Sequence, residues 1–116
     1  MTAEELIFAV LQDLAEGRVF PDIAEPDTPR PYITYQAAGG EPVNYLSGDH
    51  PEKQPVRMQV NCWADTRVEA SALGAQVEDA MRAAVHLLPE VATGRIARYD
   101  EATSYRGTMQ DFMIFC

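Results

Sequence analysis

Between Val56 and Trp63 the chain alternates without interruption. Val56, Met58, Val60 and Cys62 take one phase, and Arg57, Gln59, Asn61 and Trp63 take the other. Successive side chains of a strand point to opposite faces, so this pattern dictates a strand with one apolar and one mostly polar face. Such a strand must be covered on its apolar side. The cover follows at once, because Asp65-Thr66 open a long helix with Thr66 and Glu69 at capping-box spacing. Its expected buried stripe is Ala70, Leu73, Val77, Ala80, Met81, Ala84 and Leu87 or Leu88. The small alanines allow close approach to a sheet. Arg82 and His86 complement the dipole at the C-terminal end, and Pro89 follows the stop.

The remaining elements fall around this unit. Thr2 and Glu5 have capping-box spacing, and Leu6, Ile7, Val10, Leu11 and Leu14 recur at helical intervals, so a first helix runs toward Gly17 as its stop. Arg18-Val19-Phe20 reads as a short strand cut off by Pro21-Asp22. A prolyl loop, Ala24 to Arg30, leads into Tyr32-Ile33-Thr34-Tyr35-Gln36, a strand dense in β-branched and aromatic residues. Arg95 to Tyr99 alternates weakly. Tyr105 to Cys116 alternates and ends in Phe112-Met113-Ile114-Phe115, a run that suits a strand buried on both faces. The order helix, three strands, helix, two strands defines an α+β class. The expected sheet is mixed and mainly antiparallel, with four to five strands and both helices on one face. At 116 residues, 1–116 reads as a single domain able to bury about two-thirds of its surface.

Residues 39–55 stand apart. Two adjacent glycines, three prolines and little periodicity suggest a long loop or hairpin arm. Val43, Tyr45 and Leu46 sit inside its polar frame, too apolar for a free loop, and are candidate partner-interface residues. Trp63 is the fourth. Lying on the polar phase of its strand, it either packs beneath the second helix or contributes to a subunit interface, where Trp is enriched.

The same residues offer no catalytic constellation. Cys62 lies on an apolar strand phase, which makes it core filler rather than a nucleophile, and Cys116 shares a strand with core residues. The two are far apart, without CxxC spacing, so neither zinc nor redox chemistry is indicated; reduced thiols in a cytosolic setting are the default. Asp49-His50-Pro51-Glu52 is the only cluster with metal-ligand character, and its plain reading is a solvated loop tip. Gly39-Gly40 has no lysine at P-loop spacing. Asp65 and Glu69 are assigned to capping, and Glu78 and Asp79 to an exposed helix face. No catalytic, cofactor or metal residue is therefore expected. The chain is expected not to be an enzyme, and no cofactor is expected. A net charge of −9 argues against non-specific nucleic-acid binding, which relies on cations displacing counterions. No apolar stretch approaches the roughly 18 residues of a membrane span, and the opening Thr2-Ala3-Glu4-Glu5 carries acids where a signal peptide carries bases.

Four strings in this order carry a family resemblance: Gly17-Arg18-Val19-Phe20-Pro21-Asp22, Pro31-Tyr32-Ile33-Thr34-Tyr35-Gln36, Met58-Gln59-Val60-Asn61-Cys62-Trp63-Ala64, and the terminal strand with Tyr105 and Phe112-Met113-Ile114-Phe115. Together they resemble the small tail-completion, or tail-terminator, family of long-tailed bacteriophages and prophages. The resemblance implies a structural subunit of the virion tail, assembled in the host cytoplasm. It implies a homo-oligomeric ring, generally hexameric, that caps the tail tube, stops its polymerisation and presents the head–tail joining surface. The implied partners are the major tail tube protein and a head–tail connector protein, with no specific nucleic-acid or membrane partner. A ring subunit needs free sheet edges, and the C-terminal strand is expected to supply one. Acidic subunits suit a lumen through which DNA slides. The alternatives are another head–tail neck component, a small cytosolic ligand-binding or regulatory module, or an enzyme using His50.

Overall fold

The computed structural model describes residues 2–48 and 52–116. Asp49, His50 and Pro51 fall outside that range, and with them all but Glu52 of the cluster with metal-ligand character. Helix α1 spans Ala3–Leu11. Thr2 is its N-cap, accepting from the Glu5 amide while the Glu5 carboxylate accepts from the Thr2 amide, so the capping box forms as expected. Nine residues are too few for a helix to persist alone in water. Burial of Ile7 and Leu11 holds it, each contributing on the order of 1.5–3 kcal/mol. The helix stops at Leu11, short of Gly17. The chain there tightens into a 3₁₀ turn, Leu14–Gly17, in which Ala15 and Glu16 take left-handed backbone angles.

Six strands follow: β1 Val19–Pro21, β2 Tyr32–Ala37, β3 Pro55–Ala64, β4 Glu90–Val91, β5 Ile96–Asp100 and β6 Tyr105–Phe115. Helix α2, Arg67–Ala83, lies between β3 and β4. The sheet order is β1-β2-β3-β6-β4, and β5 pairs with β6 beside β4. Only β1–β2 is parallel; the other pairings are antiparallel. The two-residue β4 is an addition to the strands read from the sequence. It and β5 act as one interrupted strand along β6, bridged where the Ala92 and Thr93 amides both donate to the Asp111 carbonyl. The C-terminal strand β6 is therefore internal. The free edges are β1 on one side and β4 with β5 on the other, which corrects the expectation that the last strand supplies an edge.

Both helices pack on one face. Ile7 and Leu11 from α1 join Leu73, Val77 and Met81 from α2 over Ile33, Tyr35, Met58, Val60, Cys62, Phe112 and Ile114 of the sheet. The stripe on α2 is as read, with Ala84 and Leu87 buried just beyond its end and Leu88 exposed. Gly74 lets the helix approach β6 closely, since a Cβ there would meet Thr108 Oγ1 at 2.8 Å.

The strand phase decides two expectations. Cys62 and Ala64 face the helices, so Trp63 cannot lie beneath α2. It is half-buried on the helix-free face, lying across Gly107, where a Cβ would meet the indole Cε3 at 2.7 Å. Likewise Phe112 and Ile114 are buried under the helices, but Met113 and Phe115 are only half-buried. The terminal apolar run thus covers one core face and leaves apolar surface on the other.

Glu78 departs from the exposed role assigned to it. Its carboxylate accepts from Gln110 Nε2, Arg82 Nε and Arg95 Nη1, each at 3.0 Å, tying α2 to β6 and to the segment before β5. The Gln110 amide and then Arg82 hold its pKa below the ordinary carboxylate range. A carboxylate depressed on folding stabilises the protein above its unfolded pKa of about 4.3, and that contribution is lost as pH falls through the folded value. Glu78→Gln is expected to cost about 1 kcal/mol at pH 7, read as a lower urea midpoint. The two proteins should converge as pH falls below the ordinary carboxylate range.

Candidate partner-facing surfaces

Arg57 begins the arm's base. Its amide donates to the Gly39 carbonyl, and the Ala38 amide donates to the Arg57 carbonyl, which extends the β2–β3 pairing past Ala37. Gln54 holds the returning side. Its backbone exchanges two hydrogen bonds with Cys116, and its side chain accepts from the Val43 amide at 2.9 Å and donates to the Val43 carbonyl at 3.2 Å. Beyond that clamp the Gly48 amide donates to the Tyr45 carbonyl, forming a turn that carries Leu46 wholly into solvent. Val43 and Tyr45 are exposed as well. The described molecule is 51 Å long and about half as wide, with a radius of gyration of 15.0 Å. A compact chain of this length would have about 13 Å.

Val43, Tyr45 and Leu46 are therefore all exposed on the arm. Trp63 does not belong to it: from Pro55 at the arm's base, Trp63 lies roughly 26 Å along β3. The helix-free face on which it sits also carries Met109, Met113 and Phe115, all half-buried, and the cross-strand pair Arg57 Nε–Asp111 Oδ2 at 2.7 Å. Burial pushes the Cys62 thiol up to about 11, so it holds no thiolate at neutral pH.

At the β1 edge, Phe8, Ala9, Gln12, Pro21 and Tyr35 line an open, mainly apolar cleft of about 540 Å³ with Glu4 and Glu5 on its rim. Burial raises the Tyr35 phenol above its ordinary value, and the charges of Glu4 and then Asp22 raise it further. The prolyl loop beside this edge is pinned by Arg30. Its Nε donates to Asp65 Oδ1 at 2.9 Å and its Nη1 to the Tyr105 hydroxyl at 2.9 Å, with the guanidinium over the Tyr105 ring. Asp65 is thus an ion-pair partner across the chain, and Thr66 alone is the N-cap of α2.

The α1–β1 edge is rich in acids, and the β4–β5 edge carries both signs, with Glu90, Asp100 and Glu101 beside its arginines. Among the described residues, Glu4, Glu5, Asp13, Asp22, Glu25 and Asp27, on α1 and around β1, form no ion pair. Arg67, Arg98 and Arg106, beside β5, also have no carboxylate partner: Arg67 donates to the Gly107 and Arg98 carbonyls, and Arg106 lies over the Tyr99 ring. The acid-rich character of the α1–β1 edge is legible in the sequence as the larger excess of acids before Pro55.

The described surface thus offers exposed apolar residues on an arm and a free sheet edge on either side, the features of a subunit that assembles with others. The chain belongs to the tail completion protein gp17 family, whose family model matches residues 7–114. Among solved structures it is similar in fold to a chain of the virion of a native gene transfer agent particle. That likeness has a TM-score of 0.56 at 13% identity and covers 97% of this chain and 85% of the other. No curated protein matches it. Among the described residues no helix is long and apolar enough to cross a membrane, and no three His, Cys, Asp or Glu are grouped to hold a metal.

Proposed function

We infer that this protein caps the phage tail tube as a ring of identical subunits. The ring ends tube polymerisation and forms the surface that joins tail to head. The observation that carries this reading is the family match over residues 7–114. The structure adds what such a role requires: an exposed apolar arm at Val43, Tyr45 and Leu46 for the tube protein or the head–tail connector, and an unpaired strand at each end of the sheet. Its function is assembly without chemistry, in a ring of six. Acidic subunits around the bore repel the phosphates of passing DNA. Trp63, over Gly107 on the helix-free face, is assigned to contacts within the assembled neck.

Deletion of the gene from its phage tests this directly. Electron micrographs of the lysate should show tails that are overlong or lack heads, with complementation restoring the wild-type count. Tails of normal length attached to heads in the deletion lysate would end the reading.

A further inference from the structure

We propose that the β5 edge of one copy docks into the α1–β1 cleft of the next, with Tyr99 entering between Phe8 and Pro21 and Arg106 meeting Glu4. This rests on the ring reading above and names the surfaces that would close it.

Three observations select this pairing. Among the described residues, Glu4, Glu5, Asp13, Asp22, Glu25 and Asp27 at the α1–β1 edge have no cation, and Arg67, Arg98 and Arg106 at the β5 edge have no carboxylate, although Glu90, Asp100 and Glu101 stand without an ion-pair partner on that edge too. Two acid-rich α1–β1 edges repel each other, whereas the arginines of the β5 edge can meet that acidic rim, which favours head-to-tail association over contact between two acid-rich edges. Head-to-tail contacts give a ring where the rotation between subunits closes. Next, both patches lie on the same side of the sheet. Arg106 is in register with Ala64, whose side chain faces the helices, and Tyr99 is in register with Arg106. On the other edge Pro21 is in register with Tyr35 of the core, below α1. Rotation about a ring axis keeps every helix face on one side, so these two surfaces meet. Third, the shapes agree. Tyr99 is half-exposed with the Arg106 guanidinium 4.9 Å above its ring, and the cleft offers an apolar floor with an acidic rim. Pro21 lacks an amide and ends β1, so side chains rather than a shared strand ladder make the contact.

Sedimentation velocity of the full chain over a concentration series, at low and high salt, tests the pairing with Arg106→Glu, Glu4→Arg, their combination and Tyr99→Ala. Glu4 is chosen over Glu5 because Glu5 belongs to the capping box. Each single variant should weaken self-association about tenfold or more. The combined variant should recover to within about threefold of wild type, which a folding defect would not do. A combined variant no better than the singles, singles that associate like wild type, or a wild type monomeric at every concentration and on tube ends would each overturn the proposal. Rings that form on tube ends and tolerate every substitution would overturn this contact and leave the capping function standing. Normal tails in the deletion lysate would remove the capping function, with the edge contact still judged by sedimentation.

Discussion

Gly107→Ala is expected to be strongly destabilising. The added carbon would lie 2.7 Å from Trp63 Cε3, 2.9 Å from Trp63 Cζ3 and 2.8 Å from the Cys62 carbonyl oxygen. The indole could swing away, but the carbonyl belongs to β3, which is paired on both sides and cannot retreat without breaking a ladder. Overpacking of this kind costs on the order of 1–3 kcal/mol, and the backbone contact puts this site at the upper end. For a chain of this length that is a fall in melting temperature of about 10 °C. Trp63 fluorescence should shift to the red in the native baseline as the ring is lifted from its seat. A Trp63→Ala background should recover the part due to the indole, and the cost left over belongs to the carbonyl. An unchanged melting temperature for Gly107→Ala would show that β3 and β6 are not in the register described.

Trp63 also shows what the sequence could and could not disclose. Alternation from Val56 to Trp63 established that the indole opposes Cys62, and the structure agrees. It did not say whether the opposing face was covered, because coverage depends on where both helices land, and each helix pattern specifies only its own apolar side. The Phe112–Phe115 run was misjudged for the same reason. Four apolar residues in a row fit a doubly buried strand or a strand whose outer face meets a partner, and periodicity cannot separate them. The N-caps were legible to the residue, since Thr2 and Thr66 act through neighbours three positions away; the full box forms at Thr2 with Glu5, and at Thr66 the side chain accepts from the Glu69 amide without the reciprocal backbone bond. Glu78 was not, because its partners Arg95, just before β5, and Gln110, on β6, are brought to α2 only by the tertiary fold. The internal place of β6 was equally non-local: chain order makes it last, and pairing with β3, β4 and β5 makes it central.

The arm offers the sharpest separation of folding from function. Tyr45→Ala with Leu46→Asp should leave the melting temperature unchanged within about 0.5 kcal/mol of stability, because both side chains are exposed and neither joins the core. The Gln54 clamp on Val43 is untouched, so the arm keeps its base. If Leu46 and Tyr45 are buried against the tube protein or the connector, as proposed above, their loss removes about 1.5–3 kcal/mol for the leucine and about 2 kcal/mol for a tyrosine anchor. Aspartate at position 46 adds the cost of desolvating a charge. Together these weaken each contact by roughly a hundredfold or more. In a ring the deficit recurs in every subunit, so avidity amplifies it rather than hiding it. The expected result is a soluble, fully folded variant that fails to complement a deletion phage, with head-attached tails reduced at least tenfold in micrographs. Val43→Ala, held by its backbone bonds to Gln54, should complement far better. A double variant that restores tails as well as wild type would show that the arm is not the docking element, and would shift that role to the helix-free face around Trp63, Met113 and Phe115.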